Sequence, residues 1–334
     1  MFGRTLTLFR PGLSRYVRMV PSSTHLPSWA LVTPVRDEGE LLDELVAVVR
    51  AQELRPLRWL IVDDGSRDQT AAVLARLTAR DPWISVVTLA QRSNDAQPAA
   101  RYADALVHGF RAVLELAEAE QLDVDYVANL DADVRPRPSL FAELIERSER
   151  DRAIGIASCR LGAAAPHGGW LPQLQHPCGA PRSGLRLWRR ECLEQAAFYP
   201  APHWGSVTGL RARNRGWRTL IHEDLVAEVI RADASRSGWW RGFRRIGAGA
   251  WFVGAHPLTI AVEAVAVSAH ERDLRGLALL AGYVESAVRG RRRSCDPELL
   301  QFYGSDLPRR QWFAAWSKLT RPLRRGPATT HRHG

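Results

Sequence analysis

The chain of 334 residues reads as an α/β protein: a mostly parallel, Rossmann-like sheet flanked by helices, with a helical C-terminal extension. Three observations predict this. Short apolar runs alternate with amphipathic stretches through the first half, the pattern of βαβ units. Two of those runs stop at carboxylates, Leu60-Ile61-Val62-Asp63-Asp64-Gly65-Ser66 and Tyr126-Val127-Ala128-Asn129-Leu130-Asp131-Ala132-Asp133. Buried parallel strands exclude charge, and open α/β sheets bind ligands beyond their strands' carboxyl ends, so acids placed there twice point to one shared polar crevice. From Trp239 onward, Ala, Leu and Val recur on helical faces.

In order, Trp29 to Thr33 is strand-like, and Glu40 to Gln52 carries Leu41, Leu42, Leu45, Val48 and Val49 on one helical face. Arg58 to Val62 predicts the second strand, and Asp68 or Thr70 caps a helix bearing Val73, Leu74 and Leu77. Ile84 to Leu89 predicts a third strand, then a polar loop from Gln91 to Pro98 and a long helix through Ala105, Phe110 and Leu116. Tyr126 to Leu130 is the fourth strand, and Ser139 to about Ser148 a helix. The second half is less regular: strands at Ile154 to Ser158, Gly184 to Trp188 and Arg218 to Ile221, and a short helix over Glu191 to Ala197. Arg211 to Gly216 reads as a helix end, and the later helical pattern breaks at Pro257 and Gly276. This gives a basic, flexible leader at 1–28, a sheet domain at 29–230 with halves at 29–133 and 134–230, a helical region at 231–320 and a disordered tail at 321–334.

Composition is ordinary for a globular protein, with 46% apolar and 25% charged residues. The net charge of +10 fits nucleotide phosphates or a membrane surface as partner, but Lys318 is the only lysine, a skew that a GC-rich genome also produces. The leader has arginines and no acid, without the apolar core of a secretory signal, and translation starting at Met19 is an alternative to Met1. Trp251 to Ala269, the longest near-apolar stretch, is broken by His256, Pro257 and Glu263, so the protein is expected in the cytoplasm, with peripheral contact at the inner membrane face left open. Cys159, Cys178, Cys192 and Cys295 form no C-x-x-C pair; they read as isolated thiols of a reducing compartment rather than a zinc set with His176.

Asp131 and Asp133 can present oxygens to one hard divalent cation, Mg2+ or Mn2+, which prefer such ligands together with phosphate oxygens and water. Alone, such a pair also suits a solvated turn. It is accompanied, in order, by Thr33-Pro34-Val35-Arg36-Asp37-Glu38 after the first strand and Asp63-Asp64-Gly65-Ser66-Arg67-Asp68 after the second. Together these motifs resemble the family 2 glycosyltransferases of the GT-A fold, over about Trp29 to Thr219. The resemblance implies an inverting, metal-dependent enzyme moving one sugar from a UDP- or GDP-sugar to an acceptor hydroxyl of a small molecule, glycan or lipid-linked carrier. By that resemblance Thr33, Pro34, Val35, Arg36 and Glu38 lie by the nucleoside, Asp63 accepts from the base, Asp64 is near the ribose or metal, and Asp131, Ala132 and Asp133 meet the diphosphate, Asp131 and Asp133 through the cation. A helix-capping turn is the competing reading of Asp63 and Asp64.

Such enzymes remove the acceptor proton with a carboxylate held within hydrogen-bond reach. Its usual place precedes the Gly216-Trp217 segment, yet the chain reads Trp204-Gly205-Ser206-Val207-Thr208-Gly209 there. Asp224 is then the first candidate base and Glu223 the second, with His203 a further one; the alternative is a catalytically weakened binder of nucleotides or glycans. Arg231, Arg236, Arg241, Arg244 and Arg245, interleaved with Trp239, Trp240 and Phe243, suit donor phosphates, a lipid phosphate or a membrane surface, or a solvated helix face. No nucleic-acid motif accompanies them. The first turn lacks the Gly-rich loop of sugar-nucleotidyltransferases, and Gln311-Trp312 is not the signature of processive synthases.

Overall fold

The computed structural model describes residues 27–90, 98–164, 170–172, 184–196, 204–231, 238–271 and 273–309. The leader up to residue 26, the loop from Gln91, most of Gly162 to Pro181, and His176, Cys178, His203, Arg236 and the tail lie outside these residues.

The alternation continues into three dimensions as strands β1 (Trp29–Val35), β2 (Arg58–Asp63), β3 (Ile84–Thr88) and β4 (Tyr126–Leu130), joined by helices α1 (Gly39–Arg50), α2 (Thr70–Arg80) and α3 (Pro98–Ala119). β1 pairs in parallel with β2 on one side and β4 on the other, and β3 lies outside β2. All residues of β1 and β4 are buried, Thr33 and Asn129 being the polar members of otherwise apolar runs. A short β5 (Val134–Pro136) and helix α4 (Leu140–Arg150) lead into β6 (Ile154–Ala164), β7 (Trp170–Pro172), β8 (Leu185–Arg189), α5 (Arg190–Ala196), α6 (Trp204–Asn214) and β9 (Arg218–Val229). Here the pairing becomes mixed: β8 runs antiparallel to both β4 and β6, β9 parallel to β6 and antiparallel to β5. The nine-stranded sheet has the order β3-β2-β1-β4-β8-β6-β9-β5, with β7 on β6.

One face packs Leu42, Leu45 and Val49 of α1, Leu77 of α2 and Phe141 and Leu144 of α4 against Leu31, Ile61 and Ala128. The opposite face packs α3 through Leu106, Phe110 and Val113, α5 through Leu193, and Trp188 and Trp204. Cys159 belongs to the first face and Cys192 to the second, so the sheet separates them and no shared zinc holds both. Burial pushes both thiols up to about 12, which marks them as inert core residues.

β5, β7 and the C-terminal two-thirds of β9 go beyond the sequence expectation. β5 is three residues closed by a proline, below the length at which periodicity is visible, and β9 runs through the charged stretch His222-Glu223-Asp224 without a buried residue and buries alternate positions only from Leu225 on. Helices α7 (Trp239–Phe252), α8 (Pro257–Glu271), α9 (Arg275–Val288) and α10 (Pro297–Gln301) follow among the described residues, with a π-helical turn at Phe302–Asp306. They share a third core with Val207 and Leu210 of α6, which is therefore buried on both sides and lacks a polar face.

Candidate donor site

The strand order sets the site. Successive strands proceed from β1 to β2 and β3 in one direction, and the chain then crosses to β4 on β1's other side. The carboxyl edge between β1 and β4 is thus the topological switch point, where the diverging connections leave a crevice. Asp63 ends β2 in register with Val35, and Asp131 follows β4, so the two acidic clusters flank the end of β1 at two strand spacings, roughly 10 Å.

The loops after β1 and β2 are clasped together. Asp37 adopts a left-handed backbone, φ 54°; its amide donates to Ser66 Oγ (2.9 Å) and its carboxylate accepts from the Arg67 amide (2.7 Å). Asp63 Oδ1 accepts from the amide (2.9 Å) and hydroxyl (2.6 Å) of Ser66, closing a tight turn in which Gly65 takes φ 72°. Asp63 is thus a turn cap, and the residue is 3% exposed. Asp64 sits between two guanidinium groups: Arg101 meets its carboxylate at 2.8 Å and its carbonyl oxygen at 2.9 Å, and Arg36 meets the same groups at 3.6 and 3.1 Å. Glu38 pairs with Arg231 at 2.8 Å, which ties the end of β9 to the first loop. Neither Asp68 nor Thr70 is the N-cap of α2, which is Gln69; Asp68, just before it, accepts from the Thr70 amide at 2.9 Å.

Asp131 and Asp133 leave the sheet on the short link from β4 to β5, with Ala132 turned into the core between them. Asp131's amide donates to the Gly184 carbonyl (2.8 Å), and Asp133's carbonyl accepts from the Ile230 amide (2.9 Å), so β8 and β9 brace the loop from both sides. Tyr102, from the first turns of α3, donates its hydroxyl to Asp131 Oδ1. Burial, then the negative charges of Asp131 and Asp133, hold the Tyr102 phenol well above its ordinary value, so it stays a donor at any physiological pH. Beside it Arg186, 3% exposed inside apolar β8, stacks its guanidinium 4.6 Å from the Trp204 ring and donates to the Gly205 carbonyl at 3.1 Å. A Cβ on Gly205 would lie 2.3 Å from this guanidinium. The arginine therefore fills the space at the head of α6.

The predicted site residues divide accordingly. The structure brings Arg36, Glu38, Asp63, Asp64, Asp131 and Asp133 to one edge. It turns the side chains of Thr33, Val35 and Ala132 inward: Thr33 is fully buried with its hydroxyl accepting from the Trp59 indole (3.0 Å), and Val35 and Ala132 belong to the core, which leaves only their backbone for the crevice; Pro34 is buried in the same strand. It also corrects Asp224 and Glu223. Both lie in an irregular stretch of β9, where His222 to Val226 faces only Cys159 and Arg160. Arg147 grips Asp224 with two hydrogen bonds (2.8 and 2.6 Å) and holds its carboxyl at about 2, while Glu223 faces Arg160 at 3.6 Å. The strand from Val226 to Val229 separates them from the acid loop by on the order of 10 Å. A proton-accepting group must approach within about 3 Å, and so acidic a carboxyl is a weak base. Arg101, Tyr102 and Arg186 are the residues sequence reading missed; the one visible signal was Arg186, a charge inside the apolar run Leu185 to Trp188.

Residues 30–216 match the family described as Glycosyl transferase family 2. The chain belongs to this family. An undecaprenyl-phosphate 4-deoxy-4-formamido-L-arabinose transferase of Pseudomonas aeruginosa is 32% identical over 122 residues, 36% of this chain and 32% of that protein. The chain thus matches about a third of the length of its curated relatives. Among solved structures, a mannosyltransferase from Pyrobaculum calidifontis in complex with GDP-Man and Mn2+ is similar at 16% identity and TM-score 0.49, covering 89% of this chain and 84% of that one. S. aureus TarS in complex with UDP-GlcNAc is similar at 15% identity and TM-score 0.45, covering 67% and 65%. Nothing about this chain's ligands follows from likenesses of that degree.

Proposed function

We propose that this protein is a glycosyltransferase that moves one sugar from a UDP- or GDP-sugar to an acceptor, with inversion and with Mg2+ or Mn2+ as cofactor. The observation that supports it is the placement of both acidic clusters at the switch point of the sheet in a chain of this family. Asp63 faces the nucleoside side, and Asp131 and Asp133 are the residues that would hold a cation. Their chemistry fits: two carboxylates one residue apart on a loop braced by Gly184 and Ile230 suit a hard ion whose remaining ligands would be diphosphate oxygens and water. When bound, that ion neutralises charge on the departing diphosphate. Tyr102 fixes the orientation of Asp131, and Arg186 adds a buried positive charge nearby.

Among the acceptors the sequence leaves open, we favour a phosphate. No Asp or Glu occurs between Glu194 and Glu223, and an arginine stands at the head of α6. An acceptor hydroxyl would have no carboxylate to take its proton there. A phosphate acceptor needs none: its oxygen, already anionic, forms the bond to the anomeric carbon as the bond to the nucleoside diphosphate breaks, and Arg186 favours the approach of that anion. A lipid phosphate is such an acceptor. The second reading, a nucleotide binder without turnover, rests on the same missing carboxylate.

A thermal-shift series of UDP, GDP and their sugars, with and without Mn2+, tests the donor half. At a hundredfold excess over Kd a ligand of the folded state adds about 2.7 kcal/mol, several degrees in midpoint. We expect a metal-dependent shift that Asp133→Ala abolishes; no shift with any nucleotide sinks the reading. Sugar transfer to a polyprenyl phosphate but not to a free alcohol supports the phosphate acceptor, and nucleotide binding with no transfer to either selects the binder.

A further inference from the structure

Helices α8 and α9 turn Ile260, Ala264, Leu279 and Tyr283 inward to the core they share with α6. The outward faces of these two adjacent helices are apolar. On α8, Leu258, Val262 and Val265 are 55, 64 and 71% exposed, and the exposed positions between and beyond them are Ala261, Ala266 and Ala269. On α9, Leu277, Val284 and Val288 are 52, 48 and 81% exposed, with Leu274 just before them at 62%. These spacings of three, four and seven place each set on one side of its helix. A helix facing water carries polar residues there.

Where the helices cross, small residues bring their backbones into close approach. A Cβ on Gly276 would lie 1.8 Å from the Ala264 carbonyl oxygen, one on Gly247 1.9 Å from that of Leu279, and one on Gly282 2.0 Å from that of Arg244. The helices cross backbone to backbone at these glycines while α8 and α9 also carry large aliphatic side chains on their outer faces, a combination that helices use where lipid covers them. At 14, 15 and 14 residues, roughly 21–23 Å, α7, α8 and α9 are too short to cross a hydrocarbon core of about 30 Å. They suit the plane of the interface.

Charge selects the partner. Trp239 and Trp240, packed edge to face at 5.6 Å, are partly exposed at the start of α7 beside the exposed Arg241 and Arg245. Past the end of α9, Arg289, Arg291, Arg292 and Arg293 are all exposed, and the single carboxylate of Glu285 is shared among Arg244, Arg289 and Arg291. Amphipathic indoles and arginines at the margins of an apolar face complement anionic head groups. A second copy docked face to face would bring the same positive margins together.

We propose that α7, α8 and α9 dock this protein on an anionic lipid surface, with the outer faces of α8 and α9 in the acyl boundary and the marginal arginines among the head-group phosphates. The proposal does not rest on the glycosyltransferase reading, because docking is measured without donor, acceptor or metal. The test is co-flotation of the full chain with vesicles of phosphatidylcholine alone or mixed with phosphatidylglycerol. We expect binding to the mixed vesicles and much weaker binding to the neutral ones. Val262→Glu with Val265→Glu should weaken it at least about tenfold. Arg241→Gln with Arg245→Gln should weaken it about fivefold for each arginine. The valines are exposed, so these variants should keep the wild-type thermal midpoint; should the glutamates unfold the helices, Val262→Ser with Val265→Ser carries the same test. No binding to either vesicle, equal binding to both, unchanged binding by the valine variants, or a wild-type dimer that those variants split and that ignores vesicles would each overturn the proposal.

Discussion

Asp131 is held by its own amide on Gly184 and by the Tyr102 hydroxyl on Oδ1, so its orientation is set before any ligand arrives. Tyr102→Phe removes a hydrogen bond to a charged group, worth about 1.5–3 kcal/mol, and should weaken metal-dependent nucleotide binding about tenfold or more with the fold intact, which calorimetric titration with Mn2+ would read. Asp64 is the converse case: it is buried against the equally buried Arg101, and Arg101→Met leaves a carboxylate with less compensation. That change should cost about 3 kcal/mol in urea unfolding. Asp224→Asn, outside the crevice, should leave turnover unchanged. Because Arg147 holds the Asp224 carboxyl down at about 2, the pair's contribution is complete above the ordinary value of about 3.9 and fades as pH falls toward 2. The variant's urea midpoint should accordingly vary less than wild type over that acid window. At this scale the sequence showed the carboxylates, because acids at strand ends break an apolar pattern. It could not show Tyr102 or Arg101, which sit on a helix whose periodicity marks only its core face, nor that Thr33 turns inward to Trp59.

The first four strands and their helices were legible because each is a complete apolar or amphipathic run with local boundaries; β4 spans Tyr126–Leu130, as its sequence run does. The second half resisted the same reading. β8 is antiparallel to both neighbours, β6 and β9 pair through register shifts, and α6 is apolar on both sides because the sheet covers one face and the C-terminal helices the other. Periodicity describes one buried face, so an element buried twice or paired irregularly has no simple period. The helix crossings are equally unreadable from a lone glycine. Gly282→Val would force α9 away from the Arg244 carbonyl on α7, an overpacking that should cost about 3 kcal/mol or more and lower the thermal midpoint measured by circular dichroism.

Over the whole molecule, three cores are stacked in series: one on each face of the sheet, and a third beyond α6. α6 belongs to two of them, so the sheet and the C-terminal helices should unfold together. Removing residues 238–309 would expose Val207 and Leu210, about 1.5–3 kcal/mol each, and should lower the stability of the remaining sheet by roughly 3–6 kcal/mol in urea. The link between the acidic loop and β9 has a different consequence. The Asp133 carbonyl is held by the Ile230 amide, nearly a hundred positions later in the chain, and Val134 pairs with Val229. The two halves of the sheet therefore do not meet at a seam that shuffling could cut. Any exchange of residues 134–230 for those of a relative would also replace the strand that steadies Asp131 and Asp133, so such a chimera should lose metal-dependent nucleotide binding unless the new strand restores that pairing.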